Sequence, residues 1–238
     1  MNSAGRLQFF WDGRAATLEE QALEPIESSH EMALPIDDAL ARVNADERYG
    51  PAFQKLFNGP ATRKSLGRAI AAFEKTLETA NSPYDRYAKG DSTAISESAI
   101  RGRLIFIGKG NCANCHSGED FTSDRYKNIG LYDGQALNDR GRGMVTGNAE
   151  DNGLFKVPSL RNVAVTAPYM HNGMFRTLSE VIDYYNDPDT HGASPRRDSV
   201  LDKPLGLAPQ EISDLEAFLR ALTDDQFAPQ PPGIAKRL

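Results

Sequence analysis

The run Cys112-Ala113-Asn114-Cys115-His116 constrains this chain more than any other feature of its sequence. Two thiols separated by two residues and followed directly by an imidazole form the C-x-x-C-H pattern that attaches c-type haem. The spacing has a physical reason, because the two thiols can add to the two vinyl groups of one porphyrin while the histidine lies under the iron. We therefore expect the chain to fold around a covalently held haem.

Two other interpretations of the motif are weaker. A redox-active dithiol of the thioredoxin type needs a surrounding βαβ pattern, which this sequence lacks. A zinc site would need two more sulfur or imidazole ligands. Outside the motif the chain has no further cysteine, and its remaining histidines are His30, His171 and His191.

Composition excludes several classes of protein. The 238 residues, 39% of them hydrophobic and 25% charged, are enough for one or two domains with a sizeable core. A net charge of -6 gives no basic surface for nucleic acid. No apolar stretch approaches the roughly 20 residues that span a membrane, and residues 1–11 do not read as a secretory signal.

The periodicity of the apolar residues predicts a mainly α-helical fold without strands. In the helix before the haem motif, the spacing predicts an inner stripe of Ile100, Leu104 and Ile107. Gly102 and Phe106 lie one turn apart there, and they favour a close crossing by the C-terminal helix. The predicted helices are Thr62–Ala80, Ser96–Ile107, one from the capping box Thr177-Leu178-Ser179-Glu180 to about Tyr185, and one after Pro209. Phe218 of the last helix would contact Gly102 and Phe106 at the crossing.

Iron held by His116 needs a second axial ligand or an open position. On the helix after the capping box, Tyr185 shares a face with Leu178 and Ile182, whereas Tyr184 points elsewhere. By periodicity alone, Tyr185 is more typical of a core tyrosine than of a ligand, and methionine sulfur suits an electron carrier equally well. The candidates are Met144, Met170, Met174, Tyr184, Tyr185, His171 and His191.

Several further runs resemble one family, the bacterial di-haem cytochrome c peroxidases, which include the MauG-type enzymes. The resemblance covers nearly the whole chain. It rests on Phe10–Arg14, Leu18–Gln21, Pro25, Glu31-Met32, Ala69–Phe73, Ser82–Asp85, the haem motif and Phe121-Thr122, and it is densest at Phe155–Asn162 and Thr166–Gly173.

This resemblance implies two haem domains. The N-terminal haem would react with peroxide, and the C-terminal haem, at Cys112, Cys115 and His116, would collect electrons. Trp11 matches the tryptophan between the two haems, and Gln21 and Glu31 match the distal-pocket pair near the peroxide-reactive iron. A carboxyl group there can move the proton that O–O cleavage requires.

The resemblance also implies the remaining ligands. Tyr185 matches the second axial position, where peroxidases carry Met and MauG-like members carry Tyr. Backbone oxygens matching Thr166 and Pro168 are expected to contribute to a calcium site, since oxygen ligands suit that cation. His171 is expected to be structural.

The chain departs from the family pattern because it contains a single C-x-x-C-H run. We expect a truncated member, a cytochrome c-like haem domain preceded by an incomplete second cytochrome c-like domain, whereas the full family architecture holds two haems. The expected division is an N-terminal remnant at 1–90, the haem domain at 91–226 and a mobile tail at 227–238.

Three functions are consistent with these features. The first is reduction of hydrogen peroxide with electrons from a small cytochrome c or cupredoxin that enter at the Cys112/Cys115 haem. The others are a mono-haem electron-transfer module and a MauG-like oxidase of protein side chains. A periplasmic location is expected, because bacteria attach haem c outside the cytoplasm, and a homodimer is expected from the family alone.

Overall fold

The computed structural model describes residues 2–194 and 196–227, and from residue 228 onward the expected mobile tail lies outside them. The described part is mainly helical, as predicted. Within it, none of the helices has the length and apolar character required to cross a bilayer. The helices are α1 Leu18–Gln21, α2 Glu24–Glu27, α3 Ile36–Ala45, α4 Tyr49–Phe57, α5 Arg63–Glu74, α6 Pro83–Ala88, α7 Glu97–Ile107, α8 Arg142–Thr146, α9 Leu178–Asn186 and α10 Pro209–Arg220.

The chain divides into two compact units after residue 78, twelve residues before the boundary expected at 90. The segment that follows residue 78 is tied to the end of α10. The Tyr84 N–H donates to the Ala221 carbonyl at 3.0 Å, and the Ala80 N–H donates to the Asp224 carboxylate at 3.2 Å. The stretch before α7 therefore belongs to the second unit.

The first unit is built from α1 to α5. Helix α5 is capped by Thr62, whose side chain accepts from the Ser65 N–H, and it ends at Glu74, earlier than the predicted Ala80. Phe73, one residue before that end, is 63% exposed. Two clusters form the core, one of Phe9, Ala15, Leu18 and Ala71, the other of Leu23, Phe53, Ala61 and Leu66.

The second unit is organised by the crossing of α7 and α10, as predicted. A Cβ atom on Gly102 would lie 1.9 Å from the Asp214 carbonyl oxygen and 2.9 Å from the Phe218 Cβ, so only glycine lets the backbones approach this closely. The rings of Phe106 and Phe218 pack edge to face with centroids 5.2 Å apart. The crossing lies in a core with Phe121, Leu178, Ile182, Leu207, Leu215, Leu219 and Leu222.

The predicted inner stripe of α7 is wrong at two of its three positions, since only Ile100 is half-buried and packs on a core cluster. Leu104 and Ile107 are 61% and 53% exposed, whereas Ala99 and Phe106 are buried. The buried face of α7 is the one that carries Gly102, because the close approach to α10 at this glycine decides which face is buried. Apolar periodicity alone therefore predicted a face that is offset by one residue along the helix.

The prediction of no strands is also wrong, although the sheet is minimal. Strand β1 (Tyr126–Lys127) pairs antiparallel with β2 (Phe155–Lys156). Short 3₁₀ helices connect the other elements of this unit; they are Cys112–Asn114, Ala149–Asp151, Val163–Val165, Pro188–His191, Ser199–Leu201 and Asp225–Phe227.

An ion pair beside the helix crossing makes the stability of this unit pH-dependent. Hydrogen bonds from Arg101 and Ser98 hold the pKa of Asp214 well below its usual range, although burial opposes this shift. A depressed carboxyl pKa stabilises the fold at neutral pH, and that stabilisation is lost as the pH falls below the unfolded value of about 3.9. We expect Asp214→Asn to lower the melting temperature at pH 7 and to lose this effect progressively in acid. Thermal unfolding measured from pH 7 to pH 3 tests this, and a difference that stays constant over the series contradicts it.

Candidate haem-binding site

The C-x-x-C-H motif forms one tight turn directly after α7. The Cys115 and His116 N–H groups both donate to the Cys112 carbonyl, at 3.2 and 2.9 Å. Asn111, just before the turn, adopts a left-handed conformation with φ 58°. The turn thus brings both thiols and the imidazole into one short stretch of backbone.

Both cysteines are free and half-buried. Burial raises the pKa of the Cys112 thiol to about 12, and it raises the pKa of Cys115 as well. The Cys112 Sγ donates to the Gly110 carbonyl at 3.2 Å. Thiols held neutral in this way lack the lowered pKa of a redox-active dithiol, which disfavours the thioredoxin-like interpretation.

The His116 ring is fixed by two backbone carbonyl groups. Its Nδ1 lies 3.1 Å from the Phe121 oxygen and 3.2 Å from the Pro158 oxygen. Since a carbonyl can only accept, we assign the ring proton to Nδ1, which leaves the lone pair of Nε2 free to bind a metal. Burial lowers the pKa of His116, and the two carbonyl groups only partly oppose this, so the ring is neutral at pH 7.

The two tyrosines at the end of α9 have different environments. Tyr184 is completely buried, its hydroxyl donates to the Ile129 carbonyl, and burial raises its pKa to about 12. Tyr185 is half-buried; burial raises its pKa, and the charges of Tyr184, Cys112 and Cys115 add to the shift. Its phenol therefore lies in the electrostatic neighbourhood of both thiols, whereas the Tyr184 hydroxyl is occupied elsewhere.

The other axial candidates are spread around the second unit. Met170 packs on the cluster of Leu131, Phe175 and Tyr184, against which Tyr185 also packs. Met174 is 44% exposed and Met144 is 64% exposed. The two histidines contact aromatic rings: His171 stacks on Phe155 with centroids 3.6 Å apart, and His191 meets the edges of Phe175 and Tyr184.

The donor set and its surroundings fit haem c. The turn supplies two neutral thiols, and His116 supplies a free Nε2 lone pair, which are the groups that covalent attachment and proximal ligation require. A partly exposed apolar shell packs beside them against the main core, as an apolar macrocycle requires; it includes Cys112, Ala113, Leu160, Val163, Ala164 and Tyr169.

The calcium site expected to include Thr166 and Pro168 stays a prediction. Thr166, Ala167 and Pro168 form an exposed segment, in which the Thr166 hydroxyl donates to the Val163 carbonyl at 3.2 Å. Within residues 2–194 and 196–227, no group of three or more His, Cys, Asp or Glu side chains could hold a metal ion. Calcium takes six to eight oxygen ligands, which this segment alone does not supply.

The expected peroxide-side residues all lie in the first unit. Trp11 is 43% exposed and lies beside the bridge that pairs Phe9 with Ala15. Gln21 is the last residue of α1 and is half-buried, and Glu31 is exposed in the loop before α3. Their roles remain predictions.

One feature was missed at the sequence level, namely the groups that hold the proximal histidine. Pro158 contacts His116, and Ser159 and Arg161 contact Asp120, next to the other acceptor Phe121; all three lie within the densest run of the resemblance, yet nothing in their pattern predicted these contacts. The position of Pro158 and Arg161 inside that run was the feature of the sequence that could have indicated a role at the site.

Comparison with known proteins gives consistent matches. The model of the di-haem cytochrome c peroxidase family, which covers MauG, matches residues 1–93, and the cytochrome c model matches residues 99–223. Methylamine utilization protein MauG of Methylophilus methylotrophus is 37% identical over 98% of this chain and 69% of its own length. Cytochrome-c peroxidase IdrP1 of Pseudomonas sp. strain SCT is 36% identical over 94% of this chain and 66% of its own length.

Solved structures agree with these matches. A MauG-like protein associated with microbial copper homeostasis superposes with a TM-score of 0.81 at 31% identity, covering 92% of this chain and 73% of that one. The chain thus spans about two thirds to three quarters of the length of these relatives.

Proposed function

Because the chain belongs to the family of the di-haem cytochrome c peroxidases and MauG, we propose that this oxidoreductase passes electrons from a small redox protein, a cytochrome c or a cupredoxin, to hydrogen peroxide. The reaction consumes one peroxide, two electrons and two protons and forms two water molecules. The observation that carries the proposal is the His116 ring, whose Nδ1 is held by two carbonyl groups beside two neutral thiols.

The residues of the second unit have distinct roles in this proposal. Haem c supplies one-electron redox chemistry when it is bound. The Cys112 and Cys115 thiols would hold it through two thioether bonds, each formed when an S–H group adds across a vinyl group. His116 would provide Nε2 as one iron ligand and Tyr185 would provide its phenol oxygen as another; burial and the charges of Tyr184 and both thiols raise the pKa of that phenol.

The peroxide chemistry is assigned to the first unit on the family resemblance. There the Glu31 carboxyl group would move a proton at the reacting oxygen, with Gln21 beside it as a hydrogen-bonding group. Trp11 would lie on the route of the electrons. In the family these three residues serve a second haem, so a loaded chain that carries one haem and shows no peroxide turnover contradicts the assignments for this chain.

A second candidate function is a MauG-like oxidation of a protein side chain. The observation that favours it is the position of Tyr185, because the MauG-like pattern has tyrosine where the peroxidases have methionine. A periplasmic location is proposed for either function, since haem c is attached outside the cytoplasm. Cell fractionation that recovers the holoprotein from the cytosol would contradict it.

The test is to produce the full chain with a haem c maturation system. We expect one covalent haem per chain in a pyridine haemochrome assay and none in a Cys112→Ser, Cys115→Ser variant. The loaded chain is then mixed with a reduced small cytochrome and hydrogen peroxide. Peroxide-dependent oxidation of the cytochrome supports the peroxidase. Haem loading with electron exchange but no peroxide turnover instead identifies a mono-haem electron-transfer module.

A further inference from the structure

Arg161 is a buried arginine with two carboxylate partners. Its side chain is 9% exposed, its Nη1 and Nη2 donate to the two Asp85 oxygens at 2.9 and 3.1 Å, and its Nε donates to Asp120 at 3.0 Å. Ser82 donates to the same Asp85 carboxylate from its N–H at 2.9 Å and from its hydroxyl at 2.7 Å. The planar guanidinium therefore joins three separate segments of the second unit in a fixed geometry.

Ser159 closes the connection between two of these segments. Its hydroxyl donates to the Asp120 carbonyl at 2.7 Å and accepts from the Arg161 N–H at 3.1 Å. We call this group the Arg161 clamp; it consists of Arg161, Asp85, Asp120 and Ser159.

The clamp is adjacent in sequence to both groups that hold His116. Phe121, whose carbonyl accepts from the imidazole, directly follows Asp120, and Pro158, whose carbonyl is the other acceptor, directly precedes Ser159. Phe121 also has a left-handed backbone with φ 52°, which is an uncommon conformation for a bulky residue. The clamp thus fixes the separation of the two carbonyl groups.

We propose that Arg161 is a positioning residue for the His116 imidazole, and that the clamp sets the redox potential of the iron that this histidine binds. The inference rests on the proposed function, because it requires haem at His116. The hydrogen bond from the second ring nitrogen of a metal-bound histidine fixes the ring orientation and tunes its basicity. A more basic imidazole favours the ferric state, so displacing the two carbonyl groups changes the potential.

Stability alone gives a weaker explanation of the clamp. Desolvation of both ions opposes a buried ion pair, which is often no more stabilising than well-packed apolar residues. The chain contains a second two-pronged arginine–aspartate pair, in which the more exposed Arg101 donates twice to Asp214 at 2.8 Å, and this pair joins α7 to α10. It provides a matched control for a merely structural role.

The test compares three variants of the haem-loaded full chain. Arg161→Lys keeps the charge but loses the planar fork, Ser159→Ala removes both hydroxyl contacts with little change in volume, and Arg101→Lys is the control. The measurements are the ferric/ferrous midpoint potential and the ferric EPR spectrum. For Arg161→Lys we expect about a tenfold change in the ferric/ferrous ratio at a fixed electrode potential, equivalent to about 59 mV for one electron. Ser159→Ala should give a smaller shift of the same sign.

The outcomes separate this inference from the proposed function. If the parent chain binds no haem, the proposed function fails. If it binds haem but Ser159→Ala and every folded Arg161 variant keep the parental potential and EPR spectrum, the clamp has no positioning role. A shift of equal size in Arg101→Lys also overturns the inference, because the effect would then follow any loosening of the unit.

Discussion

The Tyr185→Phe variant of the haem-loaded chain is expected to change from a low-spin to a predominantly high-spin ferric spectrum. Burial, and then the charges of Tyr184 and the two thiols, raise the pKa of this phenol, and its removal takes away the proposed second ligand. Loss of an anionic oxygen ligand also raises the midpoint potential, because the anion stabilises ferric iron. Absorption and EPR spectra, together with binding of cyanide to the opened position, measure these effects.

Tyr184→Phe is the matched control for this prediction. It removes a phenol hydroxyl from the next residue, but that hydroxyl donates to the Ile129 carbonyl. We expect a loss of about 1 kcal/mol in the free energy of unfolding and no change of spin state. A low-spin spectrum that persists in Tyr185→Phe would reject the assignment, and Met170→Leu would then be the next variant, since Met170 packs on the same cluster.

The features that could be predicted from the sequence are those with a local cause. The haem motif, the capping box at Thr177 and the helix that starts at Pro209 each depend on residues within a few positions of one another. The crossing of α7 and α10 was predictable for a related reason, because a glycine one turn from a phenylalanine indicates a close approach.

The features that escaped prediction depend on backbone groups or on side chains far apart in the sequence. The two acceptors of His116 are main-chain carbonyl groups, and every residue carries one, so the sequence does not mark them. The contacts of Arg161 with Asp85 and Asp120 span 76 and 41 residues. The buried face of α7 was misjudged for a similar reason, since the partner helix lies more than a hundred residues away and the approach at Gly102 outweighs apolar periodicity.

Gly102→Ala is expected to destabilise the second unit strongly. The added Cβ would lie 1.9 Å from the Asp214 carbonyl oxygen and 2.5 Å from its carbon, so α7 and α10 must separate. Alanine gains about 1 kcal/mol of helix propensity, but overpacking of this kind costs about 1–3 kcal/mol and more where backbone must move. Because the obstacle is backbone, we expect a net loss of about 2 kcal/mol, or roughly 4–8 °C in melting temperature for a chain of this length.

Two optical signals locate this loss within the chain. The Soret band of the loaded haem reports the unfolding of the second unit. The fluorescence of Trp11, the one tryptophan of the sequence, reports the unfolding of the first. Gly102→Ala should lower the Soret transition more than the Trp11 transition. Gly59→Ala is the control, because its Cβ meets nothing within 4 Å, and it should leave the Soret transition unchanged. If Gly102→Ala melts like the parent chain, the helices can separate without cost, and the close crossing does not hold the haem-binding unit together.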